Sequence, residues 1–223
     1  MPSSQTILDQ LKLVSNSAVS VALGWHVALA LAVAALILGW RPSQRAAGVM
    51  LATPVISAAA VALTFGNPFN GVILGALGCA LVLIALRLPV ARVARGGSAA
   101  AAVGILMIGF GSWYPHFVEG GTPLAYLYAA PTGLIPCPTL SLVIGFALLG
   151  GGLRSRAWSI TLAAVGLFYG LFGVVRLGVS LDIPLILGAA ALLTVPRLAD
   201  SALISAPAVG ERPSGPRCSR PDG

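Results

Sequence analysis

Apolar residues run along this chain in seven stretches of about twenty, which is the length a helix needs to cross the hydrocarbon core of a bilayer. They lie at residues 18–40, 46–65, 71–88, 98–114, 132–152, 157–175 and 179–196, and short connections rich in arginine, glycine or proline separate them. The 41 residues between Arg45 and Arg87 carry no charge. They are too long for one crossing, and Gly66-Asn67-Pro68-Phe69-Asn70-Gly71 in their middle is a turn signal, so a hairpin of two helices is predicted. Arg176-Leu177-Gly178 divides the last long run in the same way. The final uncharged piece, Ile183 to Pro196, is short for a full crossing at about 1.5 Å per residue. Ahead of the first stretch, residues 1–17 are polar, with Ile7, Leu8, Leu11 and Val14 at helical spacing around Asp9 and Lys12. That pattern suits a short helix lying in the membrane interface.

Composition agrees with the pattern. Hydrophobic residues make up 57% of the chain, charged residues 9%, and the mean hydropathy is +0.95, whereas a soluble domain carries about 25% charged residues. The predicted fold is all-α: a polytopic transmembrane bundle of about seven spanning helices. The expected organisation is an interfacial segment at 1–17, a bundle at 18–198 and a disordered cytoplasmic tail at 199–223, rich in Pro, Gly, Ser and Arg and containing Cys218. The first stretch is too long for a signal-peptide core and ends at Arg41, so it is expected to be retained. No segment has the length or polarity of a soluble catalytic module.

The net charge of +7 would suggest nucleic acid in a soluble chain; here its placement gives a different reading. Eleven of the thirteen basic residues fall after odd-numbered stretches, and only Lys12 and Arg176 fall on the other side. The positive-inside rule then puts the N-terminus outside and the C-terminus in the cytoplasm of a bacterial inner membrane, with anionic lipid headgroups as the partners of the arginines.

The most unusual segment is Pro131-Thr132-Gly133-Leu134-Ile135-Pro136-Cys137-Pro138-Thr139. Three prolines and a glycine cannot sustain a continuous helix at membrane depth, so a broken start to the fifth helix is expected at Pro136-Cys137-Pro138. Pro138 suits the first helical position, with Cys137 just before it. Broken helices build substrate sites in transporters, although a proline break that merely shapes the bundle is equally physical. His26, Cys79 and Cys137 fall at comparable depth, which admits a soft-metal site; the plain alternative is two cysteines serving as small apolar residues and a histidine bonded to a neighbouring helix. The loop Trp113-Tyr114-Pro115-His116-Phe117-Val118-Glu119, with Tyr126 and Tyr128, reads as an aromatic interfacial anchor or as a gate presenting His116 and Glu119. Arg176 and Asp182 bracket the last outer turn, as an ion pair or as functional charges.

Gly71-x-x-x-Gly75 with Gly78, and Gly166-x-x-x-Gly170 with Gly173, place small residues on one helix face each, for packing within the bundle or for oligomerisation. There is no G-x-S-x-G, no H-E-x-x-H and no phosphate-binding glycine loop. The residues point away from an enzyme and name no cofactor.

Trp113-Tyr114-Pro115-His116 and Tyr128-Ala129-Ala130-Pro131 through Thr139 resemble a family of small bacterial multi-spanning proteins, grouped as a domain of unknown function and marked by Pro-Cys-Pro-Thr at the head of a helix. The resemblance continues through Gly145-Phe146-Ala147-Leu148-Leu149 and Arg176-Leu177-Gly178, supports the membrane reading and singles out Cys137. Gly133-Leu134-Ile135-Pro136-Cys137-Pro138 is also similar to a Gly-Leu-x-Pro-Cys-Pro segment of nickel and cobalt exporters, but this chain lacks their His-rich loop and their helix with His and Asp at metal-binding spacing. The expected function is a small permease-like or metal-handling transporter. Its solute or soft metal ion would meet Cys137, Pro136 and Pro138, with His116, Glu119, Arg176 and Asp182 nearby, and a metal would add Cys79 and His26. The alternative is a non-transporting accessory or scaffold protein whose glycine faces bind partner helices. An oxidoreductase using Cys137 lacks a resolving cysteine nearby.

Overall fold

The computed structural model describes residues 3–119 and 122–204, so most of the expected tail, Cys218 included, lies outside the described residues. Nine α-helices are found among them: α1 Ser4–Ser17, α2 Val19–Ile37, α3 Gln44–Thr64, α4 Pro68–Leu86, α5 Ser98–Ser112, α6 Tyr126–Ala129, α7 Pro136–Leu149, α8 Arg156–Leu171 and α9 Ile183–Ile204. All seven apolar stretches fold as helix, and four are long and apolar enough to cross a membrane: α2, α3, α4, and α8 with its continuation to Arg176. Helices α5 and α7 are shorter, with 15 and 14 residues, or about 21–23 Å at 1.5 Å per residue.

Helix α7 is the axis of the bundle. From Pro136 to Leu149 no residue is exposed, because α3, α5, α8 and α9 all pack on it. Leu140, Ile144 and Leu148 form the core with Leu74, Leu81, Leu162 and Leu185, all fully excluded from solvent. Such a helix must be apolar nearly all round; its buried polar side chains are Thr139 and Ser141.

Close helix pairing follows the glycines. On α4, a Cβ at Gly78 would lie 2.6 Å from Ile56 Cγ1 of α3, and one at Gly71 would strike Leu63. On α8 and the turn that continues it to Arg176, Gly166, Gly170 and Gly173 face Ala189, Ile186 and Asp182 of the final segment. Both glycine faces noted in the sequence are therefore filled from within the chain. A third small-residue seam joins α5 to α7: a Cβ at Gly104 would sit 2.7 Å from the Gly145 carbonyl, and one at Gly111 2.7 Å from that of Pro138.

Prolines are accommodated locally. Pro54 inside α3 cannot donate to the Met50 carbonyl, and the neighbouring Thr53 hydroxyl donates to it instead at 2.6 Å, so the carbonyl that the proline leaves free is still paired. The α3–α4 hairpin turns at Gly66, whose φ is +70°, and the Asn67 side chain caps α4 by accepting from the Asn70 N–H. At the opposite end the arginine-bearing connections are tied together: Gln44 N–H donates to the Ala91 carbonyl at 2.8 Å and Val93 N–H to that of Pro42 at 3.0 Å.

Candidate functional site

The segment from Pro131 to Thr139 is held by a relay of hydrogen bonds. Gly133 has φ +75° and stands where a Cβ would collide with the Trp25 indole, so glycine is required there twice over. Its N–H donates to Thr139 Oγ1 at 2.8 Å, and the Thr139 hydroxyl donates to the Ile135 carbonyl at 2.6 Å. Its carbonyl accepts from Ser57 Oγ at 2.9 Å, which accepts from Trp25 Nε1 at 2.9 Å. Thr132 Oγ1 donates to the Gly111 carbonyl that ends α5. The motif thus fastens α2, α3 and α5 to the head of α7.

Helix α7 begins at Pro136, with Ile135 as its N-cap residue. This corrects the expectation that Pro138 takes the first helical position. Pro136 already has the preset φ of that position, and neither proline carries an N–H that an N-terminal turn would leave unpartnered. Cys137 therefore stands one residue inside the helix, between two prolines.

From there its thiol points at Asp182. Cys137 Sγ donates to Asp182 Oδ2 at 3.2 Å and Tyr114 Oη donates to Asp182 Oδ1 at 2.9 Å. Asp182 is 2% exposed and Tyr114 1%, and the carboxylate accepts from two side-chain donors, as a buried polar group demands. Space for it comes from α8. After Leu171 the helix widens to a π-turn over Phe172–Arg176, and Gly173 lies against the carboxylate so closely that any Cβ would strike Oδ2. Single π-turns of this kind concentrate at functional sites.

These groups line a cavity of about 270 Å³. Its walls include Pro136, Cys137, Asp182, Tyr114, Asn70 and Tyr169, and Tyr169 Oη donates to Asn70 Oδ1 at 3.0 Å. Its roof is α1, which contributes Ile7, Gln10 and Leu11. The roof is pinned at three places. Arg176 Nη1 donates to Ser4 Oγ at 2.6 Å. Asn16 Nδ2 donates to the Phe117 carbonyl, and its Oδ1 accepts from the Glu119 N–H. Lys12 Nζ pairs with Glu119 at 2.7 Å, which raises the Lys12 pKa, first through that hydrogen bond and then through the carboxylate's charge.

The sequence-chosen residues divide accordingly. Pro136, Cys137, Arg176 and Asp182 share the cavity, with Asp182 bonded to the thiol and the phenol. Pro138 packs its carbonyl on Gly111. Glu119 is spent on α1. His116 leans on the Phe117 ring, with centroids 4.0 Å apart; burial first, then the Lys12 cation, hold its pKa below the usual imidazole range.

The soft-metal grouping of Cys79, His26 and Cys137 is not assembled. Cys79 is exposed on the outside of α4. The His26 ring nitrogens lie 2.8 Å from the Ala22 carbonyl and 3.0 Å from that of Ser112, so His26 stitches α2 to the end of α5. Among the described residues no three His, Cys, Asp or Glu side chains come together to hold a metal ion. Equal depth along different helices does not imply a shared face.

Sequence reasoning passed over Asn70, Tyr169 and the roof role of α1. Asn70 and Tyr169 carried a usable signal, being polar side chains within otherwise apolar helices. No protein-family model, curated protein or solved structure matches this chain.

Proposed function

We propose that this chain is a seven-crossing inner-membrane protein with its N-terminus outside, acting as a small permease-like protein whose solute occupies the cavity beneath α1. The observation that carries this reading is the buried Asp182 carboxylate, bonded to Cys137 and Tyr114 in a cavity where one helix starts late and another widens. Irregular backbone inside a helix bundle belongs where it lines a cavity, and half-helix ends in transporters meet their cargo in such places. Asp182 and the Asn70 amide suit a small polar solute that donates hydrogen bonds or carries a positive group. Among the described residues that line this cavity, a metal-handling version has only Cys137 and Asp182 to offer, one thiol and one carboxylate, which is a poor set for a soft cation. The scaffold alternative loses its proposed surface, since both glycine faces are filled from within.

Cys137 is a natural reporter. In a Cys79→Ser, Cys218→Ser background, intact cells are treated with methanethiosulfonates bearing either a trimethylammonium or a sulfonate group. The cationic reagent is expected to modify Cys137 faster, and Asp182→Asn to bring the ratio of the two rates down. If Cys137 reacts with neither reagent until the protein is denatured, the cavity does not reach the outside and the reading fails.

A further inference from the structure

A second, larger cavity runs along α2, from Trp25 to Trp40. At its Trp25 end the helix is secured by the Trp25–Ser57 and His26–Ser112 hydrogen bonds; beyond Ala28 it stands away from α3 and α7. The gap is a groove of about 540 Å³. One wall is the Ala28, Ala32, Leu36 face of α2, and the other is built from α3 and α7, with Met50 and Phe146. The walls are hydrocarbon almost throughout. At the end nearest the tied connections the groove is flanked by Arg41 and Arg95, and no acidic side chain is among the described residues lining it.

An occupant must therefore be apolar along its length and anionic at one end. Neither a polar solute nor a purely apolar helix satisfies both demands. We propose that this groove is a binding site for an anionic phospholipid, with one acyl chain between α2 and the α3–α7 wall and the headgroup phosphate between Arg41 and Arg95. Arginine suits this role because its planar fork matches phosphate geometry. Basic pockets between membrane helices bind anionic headgroups through the same chemistry. The site is independent of the cavity under α1.

Trp25 and Trp40 both line the groove and report on it. The full-length chain, carrying Trp113→Phe and Trp158→Phe to silence the two indoles outside the groove, is reconstituted in phosphatidylcholine vesicles containing a minority of phosphatidylglycerol. Bromine is placed on the acyl chains of one lipid or the other at equal total bromine. Quenching is expected to show phosphatidylglycerol enriched at the indoles at least about fivefold over its bulk share, the factor one basic residue near a membrane surface supplies. Arg41→Gln with Arg95→Gln should abolish the enrichment, and so should Ala32→Phe, which fills the groove but keeps both arginines. The proposal is overturned if wild-type quenching follows the bulk lipid ratio, as it would with a protein helix in the groove. It is equally overturned if the enrichment survives either variant, since Ala32→Phe leaves surface attraction to the arginines intact. Size-exclusion profiles establish that each variant is folded, and single Arg95→Gln replaces the double variant if that one is not.

Discussion

A methyl group on Gly173 has nowhere to go, because the Asp182 carboxylate occupies its place. Gly173→Ala is expected to destabilise the protein by about 1–3 kcal/mol, the usual cost of overpacking. Gly24→Ala, with nothing within 4 Å of the added carbon, should be neutral or gain up to about 1 kcal/mol from helix propensity. Unfolding in mixed micelles measures both. Thr139 is a second residue on which much converges. Thr139→Val strands the Gly133 N–H in a buried site and should cost about 1–3 kcal/mol, whereas Thr139→Ser keeps the hydroxyl and should stay near wild type. His116 sets a pH dependence. With its folded pKa depressed, it binds a proton less readily than in the unfolded chain, so its contribution is full above about 6.5 and is lost as pH falls below that. Between about pH 7.5 and about 5.5 the wild type should therefore lose more stability than His116→Gln.

Among the elements, α1 does most to close the cavity that Asp182 lines, and its fastenings differ in worth. The Lys12–Glu119 pair is exposed at both partners, 48% and 65%, so Lys12→Gln should cost little stability. Asn16 instead makes two main-chain hydrogen bonds to the loop and holds Phe117 at φ +71°. Asn16→Ala is expected to loosen the roof and speed modification of Cys137 by an impermeant thiol reagent, with Lys12→Gln changing that rate much less. Equal rates in the two variants would mean that α1 is not the barrier. Helix α7 is the counterpart of α1: an element with no exposed residue whose late start at Pro136 creates the space that α1 covers.

For the molecule as a whole, the arginine-bearing connections are joined at one end by the main-chain bonds between residues 42–44 and 91–93. Asp182, Cys137 and the α1 roof lie at the other. Seven crossings would put the two chain termini on opposite sides of the membrane, with the arginine end inward. Fusions of alkaline phosphatase, active only outside, and of a fluorescent protein, active only inside, are expected to give opposite results at the two termini. Because the glycine faces are used within the chain, Gly166→Leu with Gly170→Leu should unfold the bundle rather than shift its oligomeric state, as sedimentation and thermal unfolding in the same detergent would reveal.

Helix positions were legible in advance because length and hydropathy are local properties: the α3–α4 hairpin followed from one turn signal in 41 uncharged residues, and the break before α7 from three prolines. The arginine pattern likewise carried its expectation of orientation without any contact being known. What only tertiary structure decided was partnership. Asp182 was read beside Arg176, six residues away, yet its carboxylate is bonded to Tyr114, 68 residues away, and to Cys137, 45 residues away. Cys79, His26 and Cys137 form no common site among the described residues, since helix rotation about its axis leaves no mark in a segment apolar on every side. Apolar periodicity vanishes in such a chain, and with it the information about which side chains meet; that is supplied by the glycine seams and the hydrogen bonds that the packed helices form.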